Sequence, residues 1–294
     1  MNNLKEHQPP FTIEEQILNL REKGLIIEDK EYAESLLNDV SYFRLIKAYS
    51  LGLKIKNGDY HENVHFEDIV NLYLFNAGLR QCLFSQIEKV EVNLRCRLSN
   101  HYCEKYGVFG YEKKSNFSVS ENVYVNLNKD IKREVERNAR ASFVKNFRNN
   151  YVDGKIPFYA LVELLSFGTL SKFYKNMKNT DKKAVAELYG VGYTYFESWI
   201  ESIAYIRNIC AHYGRLYNNK LTKMPKLFKQ YEVNNNRIFA IMIVLKHLVP
   251  NDRHWYEFVQ SIENLLKKYP IVSLEKMGFP QEWTRYLYWH ESEE

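Results

Sequence analysis

A single apolar stripe constrains this chain more than any other feature. Leu72, Leu79, Leu83, Ile87, Val90, Leu94 and Leu98 recur at spacings of three, four or seven, which is the period of one helix face. The stripe predicts a packing face on one helix from about Phe66 to Tyr106. Forty helical residues span about 60 Å, so a bend near Gly78 is expected. Glycine (12) and proline (7) are scarce in 294 residues, leaving few of the residues that punctuate β-hairpins. The expected fold class is therefore all-α. Its organisation is an N-terminal helical region at 1–60, a helical core at 61–250 and a C-terminal helix with an aromatic tail at 251–294.

Local signals place further helices. Thr12 and Glu15 form a T-x-x-E capping box and Gly24 a stop, predicting a first helix between them. A short helix is expected at about 30–37 and another from Ser41. Asn57-Gly58 marks a turn in a polar loop. One charged helix is expected over about 123–147. Pro157 starts the next helix, Gly168 ends or bends it, and residues 170–177 continue. Later helices are expected at about 193–212, 237–249 and 255–268, followed by an extended tail from Pro270.

Cysteines and apolar runs bound the setting. The four cysteines, at 82, 96, 103 and 210, make no C-x-x-C pair and no zinc-site spacing. They are expected to be reduced and mostly buried, as in a cytoplasmic protein. The first residues lack the apolar segment of a signal peptide. The apolar run at 238–245 is too short to span a bilayer, so no membrane role is expected.

Charge is uneven along the chain. Residues 1–79 carry −5, residues 80–230 carry +12 and residues 231–294 carry −2. A basic centre suits a polyanion; it is equally compatible with a solvated surface. The acidic first segment argues against a DNA-binding regulator built on the N-terminal helices, since phosphate binding needs a basic face.

One short motif carries candidate chemistry. Arg-x4–6-His occurs three times, at Arg207/His212, Arg95/His101 and Arg285/His290. With 14 Arg and 8 His, about one match is expected by chance, so context must choose. Arg285/His290 has aromatics between, lies near the chain end and reads as coincidence. Arg95 follows Glu91 by four residues, an i,i+4 ion pair, and His101 continues the long helix's stripe. These two are a possible secondary site or simple packing residues.

Arg207/His212 has more in its favour. Asn208 follows the arginine and shares a helix face with His212. Arg207 lies about 140° round the helix from His212. Trp199, Ile203, Ile206 and Cys210 make an opposite, buriable face, and Gly214 is expected to end the helix. RNA cleaves itself when a 2′-OH attacks the adjacent phosphate. That step needs a proton carrier near neutral pKa, as histidine is. It also needs a cation to hold the phosphate, as arginine's fork of donors does. No metal or other cofactor is required. The alternative is structural: a helix-terminal histidine bonded to a carbonyl, and an arginine paired with Glu201.

The chain also resembles the Abi-like abortive-infection family (the AbiD/AbiF group) of bacterial defence proteins. The blocks that carry the resemblance include LLNDVSYFRLIKAY, FEDIVNLYLFNAGLRQCLFSQIEKVEVNLRCRL, PFYALVELLSFGTLSKFYKNM and SWIESIAYIRNICAHYGRLYN. The resemblance implies an HEPN-like helical bundle and a metal-independent endoribonuclease toxin of phage defence. It implies Arg207, Asn208 and His212 as catalytic residues and a homodimer in which two motifs face one site. A small non-coding RNA that restrains the protein belongs to the same expectation. Lys132, Arg133, Arg137, Arg140 and Arg215 are the expected RNA-binding residues. This chain reads CAHYGRLYN where CAHHGRLWN is common in the family, so Tyr213 stands in place of a histidine. The competing expectation is a non-catalytic RNA-binding defence protein that uses the same basic surface.

Overall fold

The computed structural model describes residues 10–249 and 253–289. Among them no strand forms, and extended residues meet only in isolated bridges. The fold is all-α, a helical bundle. The chain divides into two compact units, Met1–Leu79 with Asn264–Ser273, and Arg80–Glu263 with Leu274–Glu294. These do not follow the linear segments 1–60, 61–250 and 251–294.

In the first unit, α1 (Ile13–Glu22) opens with the expected capping box. Thr12 N–H donates to Glu15 Oε2 at 2.7 Å, and Glu15 N–H to Thr12 Oγ1 at 3.2 Å. Gly24 follows in the left-handed region at φ 82°, which glycine enters without steric cost. Helix α2 (Lys30–Asp39) is capped by Asp29, whose carboxylate accepts from Tyr32 N–H at 2.8 Å. The helix expected from Ser41 forms as a short helical run over residues 42–49 whose centre, Phe43–Lys47, is π-helical, and Gly52 at φ 90° soon turns the chain away. The Asn57-Gly58 turn forms as expected, closed by Ile55 N–H on the Asp59 carbonyl at 2.9 Å.

Helix α3 (Phe66–Tyr106) has the predicted bounds, and every stripe residue from Leu72 to Leu98 is at most 2% exposed. It runs unbroken through Gly78. A Cβ there would lie 2.6 Å from Leu265 Cδ1, on α11 (Arg253–Lys268). Gly78 thus makes room for a neighbour rather than a bend.

The second unit holds the remaining helices. The charged segment is two helices, α4 (Glu121–Arg137) and α5 (Ser142–Asn150), rather than one. Asn138 donates its side-chain amide to the Glu134 carbonyl at 2.8 Å, a local bond that competes with helix continuation. The break between α6 (Phe158–Leu164) and α7 (Phe167–Asn176) falls at Leu165-Ser166, before Gly168. Ser166 caps α7, and the buried Glu134 carboxylate holds that corner. It accepts from Ser166 N–H at 2.6 Å, Ser166 Oγ at 2.8 Å and Thr169 Oγ1 at 2.6 Å.

Helix α8 (Asn179–Glu187) occupies a stretch with no sequence expectation. Helix α9 (Tyr193–Ala211) packs on α7, α8 and α10 (Ile238–Leu248). The apolar run of α10 is core, fully buried from Ile238 to Leu245. Lys246 is buried as well, donating to the Tyr288 carbonyl at 3.0 Å with its ammonium 4.6 Å from the Trp289 ring. Among the described residues no helix is long and apolar enough to cross a membrane. The tail is not wholly extended: it contains a 3-10 turn, Glu275–Met277, and α12 (Thr284–Leu287), which packs on α10. The cysteines are free, but only Cys210 is buried; Cys82 and Cys103 are half-buried and Cys96 is exposed.

Candidate active site

The motif helix α9 is anchored by its apolar face. Trp199, Ile203, Ile206 and Cys210 are all buried, as their spacing predicts. Burial pushes the Cys210 thiol up to about 12 against the opposing pull of the Arg80 guanidinium. Cys210 therefore stays a neutral thiol and a packing group. The chain after the motif is strapped back onto the helix. Trp199 Nε1 donates to the Lys226 carbonyl at 2.6 Å, and Lys226 N–H to Ser198 Oγ at 2.9 Å.

The helix ends at Ala211 with His212 as its C-cap. Tyr213 N–H donates to the Cys210 carbonyl at 3.2 Å, and Gly214 N–H to the Ile209 carbonyl at 2.8 Å. These two bonds form a Schellman ending. The left-handed residue in it is Tyr213, at φ 56°, rather than Gly214. Gly214 serves a different need. A Cβ there would sit 2.8 Å from Ile209 Cγ2 and 3.1 Å from its carbonyl oxygen. Arg80, itself 9% exposed, donates to the Gly214 carbonyl at 3.3 Å.

Arg207 is half-buried against α3. Its Nε lies 3.4 Å from Glu91 Oε2, and its guanidinium carbon lies 5.9 Å from the Phe84 ring centroid. Its terminal nitrogens have no partner among the described residues. Glu91, not Glu201, is therefore the carboxylate that holds Arg207; Glu201 pairs with Lys223 at 2.7 Å and Lys175 at 3.7 Å. Asn208 and His212 are exposed, one turn apart on the same face. Neither side chain has a hydrogen-bond partner among the described residues. The three together present a fork of donors, an amide and an imidazole at one open helix end.

The second motif is pulled apart. Arg95 donates to the Leu165 carbonyl at 2.7 Å, to the Val162 carbonyl and to Glu91, so it staples the end of α6 to α3. His101 Nε2 instead lies 3.2 Å from Asp181 Oδ1. Asp181 is fully buried and also accepts from Lys105 and, at 2.7 Å, from Tyr106 Oη. Burial alone would raise its carboxyl, but the hydrogen bonds from Lys105, Tyr106 and His101 win and hold it below the usual value. Arg285 pairs with Glu282 at 2.9 Å, and His290 lies outside the described residues.

The expected RNA-binding residues vary in availability. Lys132, Arg137 and Arg140 are exposed without an ion pair among the described residues. Arg133 pairs with Asp130 at 2.9 Å. Arg215 donates to the Tyr217 and Asn218 carbonyls at 2.9 and 3.2 Å, shaping the loop after the motif. Sequence reasoning missed Arg80, Phe84 and Asp181. Arg80, Phe84 and Glu91 step along one face of α3, but only α9's docking gives that face a meaning. Among the described residues no three His, Cys, Asp or Glu side chains gather as a metal site.

Fold and site together define an all-α protein with an arginine–histidine pair at the end of a packed helix. A family model described as Abi-like protein matches residues 35–218. The chain belongs to that family, whose class is abortive infection, a form of phage defence. The match takes in every candidate site residue and ends within the loop that Arg215 shapes. No curated protein and no solved structure matches the chain.

Proposed function

We propose that the chain is an HEPN-type endoribonuclease toxin of the AbiD/AbiF group that cleaves cytoplasmic RNA. The observation that carries this reading is the state of the motif. Glu91 and Phe84 hold Arg207 from behind, while its terminal nitrogens, Asn208 and His212 stay open at one helix end.

In the proposed reaction the RNA 2′-OH attacks the neighbouring phosphorus and the bond to the 5′-oxygen breaks. The products are a 2′,3′-cyclic phosphate and a free 5′-OH. An imidazole takes the 2′-OH proton, and a second acid protonates the leaving oxygen. Arg207 donates to the phosphate oxygens as charge develops on them, and Asn208 orients the phosphate. Each chain supplies one such histidine, so a homodimer would bring base and acid to one site. Lys132, Arg137 and Arg140 would hold the RNA backbone, and a small non-coding RNA on the same surface would restrain the toxin.

His212→Ala is expected to abolish RNA cleavage and growth toxicity while the protein stays folded by circular dichroism. An unchanged cleavage pattern sinks the reading. Glu91 favours a second reading, because its carboxylate competes with a phosphate for Arg207. In that case the protein binds RNA without cutting it, His212→Ala leaves binding nearly intact, and no cleavage occurs in any variant.

A further inference from the structure

We infer that the cavity where α3, α8, α10 and α11 meet binds a small phosphate-bearing ligand of mononucleotide size. This site is separate from the motif and does not rest on the ribonuclease reading. Its volume is about 530 Å³, within the range of small-molecule sites. Helix α3 supplies Lys89, Asn93 and Arg97, a row on one face at steps of about 6 Å along the axis. Leu188 and Tyr189 follow α8, His247, Leu248 and Val249 close α10, and His254 lies in the first turn of α11.

The lining is selective for an anion. Lys89 and Arg97 bring two positive charges to it, and His247 and His254 add imidazoles to the lining. No Asp or Glu is among the described lining residues, although Glu257 lies 3.4 Å from His254. A second cavity of about 590 Å³ makes the contrast: its Lys155 and Arg148 are paired with Glu112 and Glu136, which line it too.

The donors are also set in place before any ligand arrives. Arg97 donates to the Leu188 carbonyl, and its guanidinium sits 4.4 Å over the Tyr189 ring. Tyr189 Oη donates to Asn93 Oδ1 at 2.8 Å. That bond takes up the acceptor end of the Asn93 amide and leaves its Nδ2 to donate. Ammonium, guanidinium and amide in a row suit the oxygens of a phosphate.

Phe196 stacks on Tyr189 at 4.6 Å while Arg97 covers it as well. Tyr189 thus has no open face for a base, and recognition runs through the phosphate. Lys89 and Asn93 each lie two residues from Glu91, about 160° round α3, so the cavity faces away from Arg207.

The test is thermal unfolding of the full chain in inorganic phosphate, AMP or UMP, with chloride at matched ionic strength as control. A saturable rise in Tm is expected with a phosphate-bearing ligand, retained in His212→Ala. In Lys89→Gln the Kd should weaken about tenfold or more. Lys89 carries the decision because among the described residues its ammonium reaches only Gln86, at 3.4 Å, so its replacement is expected to spare the fold. Tighter binding of AMP or UMP than of phosphate identifies a nucleotide, and equal binding identifies the phosphate group alone. A shift no larger than chloride's, or an unchanged Kd in Lys89→Gln, overturns the inference. So does Lys89-dependent binding of single-stranded RNA without binding of phosphate or mononucleotide.

Discussion

Tyr213 and Gly214 share the work that one glycine does at the end of α1. There, Gly24 takes the left-handed position itself. At the end of α9 the left-handed residue is a tyrosine, 67% exposed, and such a conformation costs a non-glycine residue about 1–2 kcal/mol. Gly214 cannot relieve it, because its own role is to let the chain pass close to Ile209. Gly214→Ala is therefore expected to destabilise the protein by about 1–3 kcal/mol through overpacking. Denaturant unfolding should show a lower midpoint at unchanged m-value. Tyr213→Gly should stay within about 1 kcal/mol, since released strain and added unfolded-state entropy oppose each other. A Gly214→Ala variant as stable as the parent would mean that the turn does not need the close approach.

Among the elements, α8 shows how a helix is tied down by one carboxylate. Asp181 sits in its first turn and is bonded to His101, Lys105 and Tyr106, all on α3. The hydrogen bonds from Lys105, Tyr106 and His101 hold its folded-state pKa below that of an ordinary aspartate. A depressed carboxyl stabilises the fold above its unfolded pKa, and that contribution is lost as pH falls through the folded value. Asp181→Asn is thus expected to cost about 2 kcal/mol at neutral pH. The gap between variant and parent should close as pH drops below about 4. A gap that stays constant from pH 7 to pH 3 would show that the carboxylate's charge contributes nothing. The charged segment likewise presents two faces. Its buried Glu134 faces inward to accept from Ser166, the cap of α7, and from Thr169, while Lys132, Arg137 and Arg140 face solvent.

For the whole molecule, charge distribution makes a measurable claim about RNA. Residues 80–230 carry +12 while the two ends carry −5 and −2. The proposed binding to single-stranded RNA is therefore expected to weaken with salt, with a slope of about −0.7 per phosphate neutralised. Replacing Lys132, Arg137 and Arg140 together by Ala should flatten that slope by about 2. Equal slopes for parent and triple variant would remove these three residues from the proposed RNA surface.

Periodicity and capping made much of the architecture legible. The stripe from Leu72 to Leu98 set the bounds of α3, and Thr12, Glu15 and Gly24 set those of α1. Both signals are local: a helix face repeats every three to four residues, and a cap spans only four. The apolar face of α9 was readable for the same reason. What holds Arg207 was not, because Glu91 lies 116 residues away and its i,i+4 spacing to Arg95 already gave it a sufficient local partner. Likewise Arg95 and His101 look like a pair in the chain, yet they are drawn to the end of α6 and to Asp181. Arg207, Asn208 and His212 were thus singled out by their order in the chain. Whether each is open, held or spent on packing is a matter of distances between elements, and only the tertiary structure decided it.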